Sequence, residues 1–470
     1  MQIKKVTNNI YEIPKEGNMK VPVIIYASEN LLNEMKKDNC LQQMVNVAQL
    51  PGIEKSIVLP DAHLGYGFCI GGVAGFNIEE GIISPGGVGY DINCSVRLLR
   101  TNLTKEEVIG KEKQISNLLF NSIPTGVGRG TKIKITEKEF KEITRKGAKW
   151  AVEKGYGIKE DYIYCEENGC MEDANPEFVS KRAIERGINQ LGSIGSGNHF
   201  LEIQYIERIF NEKVAYAFGI EKSKIVIMIH CGSRGFGHQI ASDYIKLMED
   251  KYGYTHLPDR QLICAPIKSE LGKQYYKAMC CAANFAFCNK QILTYLTRKA
   301  MEKIFPDFKA EVVYDICHNI AKFEEHFIDG KKKVICVHRK GATRSFGKGK
   351  KELPEKYIEH GQPILIPGSM GTASYILHGT NEAEKLSFSS TAHGAGRLMS
   401  RHQAIKTLSK EKVEKSLEEK GVSVRTGSIK GLLEEAPQVY KDVDEVVRIS
   451  DEVGIGKITA KLIPVAVIKG

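Results

Sequence analysis

No stretch of the 470 residues approaches the ~18 uninterrupted apolar residues that a bilayer-spanning helix needs. The N-terminus, Met1-Gln2-Ile3-Lys4-Lys5-Val6-Thr7-Asn8, has no apolar stretch behind its charges, as a secretory leader would have. A protein neither secreted nor embedded, and therefore cytoplasmic, is expected. The twelve cysteines contain no Cys-x-x-Cys pair and no repeating spacing, so neither a zinc ribbon nor a disulfide framework is supported. Most are expected to be small buried hydrophobes in a reducing compartment. No internal repeat, low-complexity block or Pro/Ser-rich linker interrupts the chain, which reads as one domain over residues 1–470. The ordinary nucleotide fingerprints are missing too: there is no Gly-x4-Gly-Lys-Ser/Thr, no Gly-x-Gly-x-x-Gly and no Lys-x-Asp-Gly. Any nucleotide chemistry must use another nucleophile.

What is present suits a large globular α/β protein. Hydrophobic residues make up 42%, and Lys plus Arg outnumber Asp plus Glu by 67 to 57, a net charge of +10 that favours an anionic partner without naming one. Thr104-Lys-Glu-Glu107 and Thr136-Glu-Lys-Glu139 match the capping box, and Gly110 and Gly155 fall where helices end. Helices are expected to fill much of 104–190. Lys224–Cys231, Glu311–Asn319, Lys333–His338 and Pro363–Ile366 are short, apolar and β-branched, and read as buried strands. Ser269–Phe305 carries helix formers with apolar residues at three-to-four spacing, enough for one long helix or two broken ones. Its Met279, Phe285, Phe287 and Leu293 read as core.

Chemistry concentrates where glycines precede ligand-type residues. In Ser84-Pro-Gly-Gly-Val-Gly-Tyr-Asp-Ile-Asn-Cys94 three glycines stand just before Asp91 and Cys94, and permit a backbone that side chains forbid. A tight turn around a buried Cys would give the same pattern. Gly195-Ser-Gly-Asn-His199 repeats the arrangement, His230 opens the Gly-rich stretch to His238, and Asp315-Ile-Cys-His318-Asn319 closes another strand. One such histidine is more often a hydrogen-bonded core residue than a ligand; several at strand ends and Gly-rich turns reverse that balance. Carboxylate, thiolate and imidazole together suit zinc, manganese, iron or cobalt better than magnesium or calcium. A thiolate can bridge two ions.

Three further segments follow. In Ser389-Ser-Thr-Ala-His393-Gly-Ala-Gly-Arg397 the Gly-x-Gly-Arg stretch is expected to open a helix whose N–H groups, with Arg397, would suit a phosphate. His393 is then a candidate nucleophile or an anion-binding or structural histidine. Pro367-Gly-Ser-Met-Gly-Thr-Ala-Ser374 is a small-residue loop able to approach a nucleotide. Residues 331–351 hold nine Lys or Arg and no Asp or Glu, a candidate phosphate-backbone track or a solvated basic loop.

Taken together, Leu59-Pro-Asp-Ala-His-Leu-Gly-Tyr-Gly67, the 84–94 motif, Gly195-Ser-Gly-Asn-His-Phe200, His230-x-Gly-Ser-Arg-Gly235, Val337-His-Arg-Lys-Gly-Ala-Thr-Arg344 and His393-Gly-Ala-Gly-Arg397 resemble the RtcB family of RNA ligases. The resemblance runs from about residue 50 to the C-terminus. It implies a single large α/β domain, of mixed α+β character, with mixed β-sheets surrounded by helices. It also implies a GTP-dependent ligase, for tRNA splicing or RNA repair, that joins an RNA 3′-phosphate or 2′,3′-cyclic phosphate end to a 5′-hydroxyl end.

Carried over by motif, two manganese ions (Mn2+) would be held, one by Asp91, Cys94 and His199 and the other by Cys94, His230 and His318. His393 would take the guanylyl group. The GTP pocket would comprise Asn198, His199, Phe200, Leu201, Glu202, His318, Asn319, Pro367, Gly368, Ser369, Met370, Ser374, His393, Gly394, Ala395, Gly396 and Lys469, with Tyr440 as a neighbour. An activating protein such as archaease belongs to the same expectation, and no membrane partner does. Ala62, Leu64 and Cys231 depart from common family residues, which leaves the ligand set intact but the RNA substrate open. A binuclear phosphoesterase or nuclease, and a non-catalytic RNA-binding relative, remain the alternatives.

Overall fold

The computed structural model describes residues 1–126, 131 and 133–470. Two sheets organise the chain. One has seven strands in the order Lys4–Thr7, Ile10–Ile13, Val23–Tyr26, Ile53–His63, Ile70–Asn77, Lys331–Lys340, Asn319–Ile328. The other runs Ala310–Cys317, Ser95–Thr104, Lys224–Cys231, Phe200–Ile209, Lys457–Lys469, Ser374–His378, Pro363–Ile366, with Ser423–Thr426 also paired to Lys457–Lys469. Along that path every neighbouring pair is antiparallel.

The four strands expected from apolar β-branched runs all form; Lys224–Cys231 and Pro363–Ile366 keep the expected limits, and the other two become Ala310–Cys317 and Lys331–Lys340. The expected strand 311–319 ends at Cys317; His318 is the joint at which the chain leaves the second sheet and enters the first as Asn319–Ile328. Ser269–Phe305 becomes one unbroken helix, Glu270–Met301, capped by the Ser269 side chain on the Gly272 N–H. Met279, Phe285, Phe287 and Leu293 on it are fully buried. Helices occupy much of 104–190, and both capping boxes are made; residues 127–130 and 132 in that stretch lie outside the described residues. All twelve cysteines are buried and unpaired.

The long helix is also a polar rod. Asn284 bonds the N–H and C=O of Met171, and Asn289 accepts from the Gly192 and Ser193 N–H groups. Lys290 donates to Asp315 and to Ser95 Oγ, while Arg97 binds the other Asp315 oxygen at 2.8 Å. Arg97, Lys290 and Asp315 are fully buried, so one carboxylate, and not water, faces both cations.

The basic segment 331–351 is not a continuous track. It folds into the strand Lys331–Lys340 and the short strand Ala342–Arg344, and from Ile335 onward both faces of these strands are covered, which buries part of its charge. Arg339 forms a two-pronged pair with Glu324, Arg344 pairs with Glu167, and Lys340 caps backbone carbonyls of Tyr66 and Gly86. Lys331, Lys332, Lys348 and Lys351 are exposed and lie on either side of that buried stretch.

Asp315→Leu strands two buried cations and is expected to cost on the order of 3–5 kcal/mol, read as a lower denaturation midpoint. Glu311→Gln breaks the exposed Arg100–Glu311 pair and is expected to change stability by under about 1 kcal/mol. Equal midpoints for the two variants would contradict the assignment of the buried triad.

Candidate active site

Antiparallel pairing brings alternate strand ends to one edge of the second sheet. Cys317 pairs with Ser95, Val96 with His230, His230 with Phe200, and Phe200 with Lys469. The residues at or just beyond those ends, His318, Cys94, His230, His199 and Lys469, therefore meet. Cys94 Sγ lies 3.4 Å from His199 Nε2 and 3.2 Å from His230 Nε2, the Nε2 atoms of His230 and His318 are 3.2 Å apart, and His199 Nε2 is 2.7 Å from Asp91 Oδ2. Two groups of donor atoms form, Asp91–Cys94–His199 and Cys94–His230–His318, each within 4.8 Å. Cys94 is common to both.

Glycine's role in presenting these ligands differs between the motifs: ahead of His199, Gly195 and Gly197 both take positive φ, +87° and +74°. Only Gly89 of the 86–89 set has a positive φ, +98°; Gly86 and Gly87 sit in the short helix Pro85–Val88, where neighbouring atoms leave no room for a Cβ. Gly232 is small because a Cβ there would meet the Asp91 carboxylate. Arg234, a non-glycine residue at φ +56°, has its Nη1 3.0 Å from His199 Nδ1. Backbone strain of this kind is commonly stored at functional sites.

The donor chemistry fits divalent cations. Donors 3.2–3.4 Å apart suit a shared ion about 2.0–2.3 Å from each. Burial and neighbouring positive charge hold His230 and His318 well below the ordinary imidazole range, so both are neutral, as ligands must be. Burial opposes charge on His199, but Asp91 and nearby thiols raise it well above its ordinary value. A cation at Nε2 would take the place of that proton, leaving Nδ1–H to the Ile194 carbonyl 3.0 Å away. Burial and Asp91 push the Cys94 thiol up to about 11; only a bound cation would make it a thiolate at neutral pH.

A cavity of about 380 Å³ opens over the cluster. Of the expected pocket residues, Asn198, Phe200, His318, Asn319, Pro367 to Met370, His393 to Gly396 and Lys469 line it, as do Asp91, Cys94, His230 and Tyr440. His199 belongs to the ligand cluster and does not line the cavity. Leu201 points the other way, into an apolar core, as strand alternation from Phe200 requires. Glu202 and Ser374 sit behind the lining: Ser374 Oγ accepts from Gly368 N–H at 3.1 Å and from Gln204 Nε2 at 3.0 Å, and Gln204 Nε2 also donates to Glu202 Oε2.

The expectation that 394–397 opens a phosphate-binding helix fails. His393 follows the strand Ser390–Ala392, the next helix begins at Arg401, and the N–H groups of His393 and Gly394 are both taken by Asp61 Oδ2, at 3.0 and 3.3 Å. The same oxygen lies 2.5 Å from His393 Nδ1. A carboxylate at Nδ1 fixes that nitrogen as the proton bearer and leaves Nε2 with its lone pair. Asp61 has no role in the sequence expectations; its signal is a carboxylate in the run Ser56–His63, which is buried throughout, Asp61 included. Tyr66, Tyr90, Lys340, Arg401 and Glu435 also line the cavity and were not assigned to it.

Titrating cobalt(II) into metal-free protein is expected to produce a thiolate-to-metal absorption band and to release protons, with affinity rising as pH rises, because Cys94 and His199 must both lose a proton to bind. Cys94→Ser should abolish the band. A band of full intensity in that variant would remove Cys94 from the centre.

A family model described as "tRNA-splicing ligase RtcB" matches residues 43–470. Among curated proteins, the tRNA-splicing ligase RtcB of Archaeoglobus fulgidus is 51% identical, with 100% of this chain and 99% of that protein aligned. Its namesake in Thermococcus kodakarensis is 49% identical over 100% and 99% of the two chains, and that of Nanoarchaeum equitans 51% identical over 100% of both. With matches this long lying over every segment of the site, the chain belongs to the RtcB family.

Proposed function

We propose that the protein is an RNA ligase of tRNA splicing that uses GTP and two manganese ions, with His393 as the residue that carries the guanylyl group. The observation that carries this reading is the His393–Asp61 pair, 2.5 Å from Nδ1 to Oδ2, beside a metal-ligand cluster: the His393 and His318 rings lie 4.9 Å apart. An imidazole held through one nitrogen, with the other free over a phosphoryl-transfer centre, is built as a nucleophile.

In this reading Nε2 of His393 attacks the α-phosphorus of GTP, the P–N bond forms and pyrophosphate leaves. Asp61 steadies the positive charge that develops on the ring, as a carboxylate behind a catalytic imidazole does. An oxygen of the RNA 3′-phosphate then displaces His393 from the guanylyl phosphorus, giving a 3′,5′-diphosphate-linked guanosine. Finally the 5′-hydroxyl oxygen attacks the former 3′-phosphate, its proton is lost, and GMP departs. A 2′,3′-cyclic phosphate is opened by water first. Divalent cations held by Asp91, Cys94 and His199, and by Cys94, His230 and His318, would offset charge on the phosphate oxygens at each transfer.

Guanine rather than adenine is favoured by Glu202 and Lys469. Glu202 Oε1 is buried without a hydrogen-bond partner, the mark of a site awaiting a ligand group; burial raises the carboxyl to about 8, and N–H donors from guanine would favour its ionised, accepting form. Lys469, next to it, supplies the donor. Guanine offers N–H donors beside a carbonyl acceptor; adenine offers an acceptor beside an amino donor.

Protein incubated with manganese and GTP labelled at the α-phosphate is expected to take up an acid-labile label. His393→Ala should take up none, and Asp61→Ala should form the adduct about a hundredfold more slowly or worse. In Glu202→Ala the preference for GTP over ATP should fall about tenfold or more. Absence of label with every divalent ion tried would remove the ligase reading and leave a phosphoesterase.

A further inference from the structure

One flank of the cavity is walled by rings that the guanosine reading does not use. Tyr66 and Tyr90 line the wall, edge to face with centroids 5.4 Å apart, and Tyr90 stacks on the exposed His238 at 4.8 Å and 28°. The three rings thus run from the cavity to the surface. Neither tyrosine joins any of the hydrophobic clusters among the described residues, and both are only half-buried. Aromatic area left out of the core and turned to a cavity is area available to a ligand.

The flank is held in place and shares one cavity with the residues of the guanosine reading. Lys340 ties the Tyr66 carbonyl to that of Gly86, and Tyr90 immediately precedes the ligand Asp91, so the rings meet the metal-ligand cluster at Asp91. Phe200 and Lys469 meet it elsewhere, at His230: the Phe200 and His230 rings are 5.3 Å apart, and Lys469 Nζ lies 5.7 Å from the Phe200 ring centroid. Arg234, beside His199, adds positive charge near the ring flank. Flat rings beside a cationic phosphoryl-transfer centre match one ligand chemistry, a nucleobase attached to a phosphodiester.

We infer that Tyr66, Tyr90 and His238 form a stacking platform for the terminal nucleobase of a single-stranded RNA whose end reaches the metal-ligand cluster. The inference rests on the reading of RNA as the substrate and adds which part of the RNA is gripped and by what. Stacking accepts every base, which suits an enzyme that must join ends of differing sequence, and it favours purines over pyrimidines through ring area.

The test is equilibrium binding of short fluorescent RNAs to the full chain with no GTP present. One strand ends in a 3′-phosphate and the other begins with a 5′-hydroxyl, and each is made with its terminal base intact or replaced by an abasic ribose. Removing the base from the strand that stacks is expected to weaken its binding by about five- to a hundredfold, and the arm that shows the loss identifies that strand. Tyr66→Leu with Tyr90→Leu should shrink the loss toward onefold, whereas the paired Phe substitutions should preserve it. Equal binding of intact and abasic forms in both arms of the wild-type protein overturns the platform, whatever the Leu variants do. Because GTP is absent, that result is independent of His393 labelling, whose failure would count against the ligase mechanism alone.

Discussion

The site depends on the register of antiparallel strands at one sheet edge. His230 is paired with Val96 on one side and Phe200 on the other, so it sits between the strand that begins after Cys94 and the one that begins after His199. A slip of one residue in either pairing would turn His230 to the opposite face relative to its partners and break the Cys94–His230–His318 group. Four ligands lie at or one residue beyond sequence-distant strand ends, so strand pairing places them. The fifth, Asp91, comes from the one connection whose backbone is shaped by Gly89 and by the bare backbone of Gly232 beneath it.

Below that edge the buried triad Arg97–Asp315–Lys290 secures the same strands. Asp315 lies three residues before His318, Arg97 three after Cys94, and Lys290 reaches Ser95 from the long helix. Buried charges of this kind contribute little net stability compared with apolar packing, but they permit few alternative geometries. Lys290 also adds to the positive potential that keeps His230 and His318 neutral. Its part is therefore electrostatic as well as geometric.

Much of this was legible in the sequence because it is local. Apolar β-branched runs marked the strands, Ser269 marked the start of the long helix, and glycines flagged the ligands around Asp91, Cys94 and His199. What escaped was set by partners far along the chain. Nothing local announces that Glu324 will neutralise Arg339, or that Glu167 will meet Arg344, so nine cations spread over 331–351 looked like a surface track although three of them lie where the strands are covered on both faces. Asp61 lies 332 residues from His393, and without that contact the Gly-rich run after His393 resembled a helix start with free N–H groups. Leu201 was included in a run of pocket residues although strand alternation alone would have excluded it.

With the N–H groups around His393 committed to Asp61, an incoming polyanion must be met by side chains, and these too are already engaged. Glu435, fully buried, is approached by Arg397 at 3.2 Å, Arg401 at 3.4 Å and Lys469 at 3.9 Å, and Tyr440 donates its hydroxyl to it. Burial alone would raise the Glu435 carboxyl, yet these cations hold it below its ordinary range. Three cations around one carboxylate leave an excess of positive charge facing the cavity. The groups are also aligned before any ligand arrives, which lowers the entropy lost on binding. Glu435 thus does for the cations what Asp61 does for His393: each buried carboxylate fixes cavity groups in position while leaving their outward atoms free.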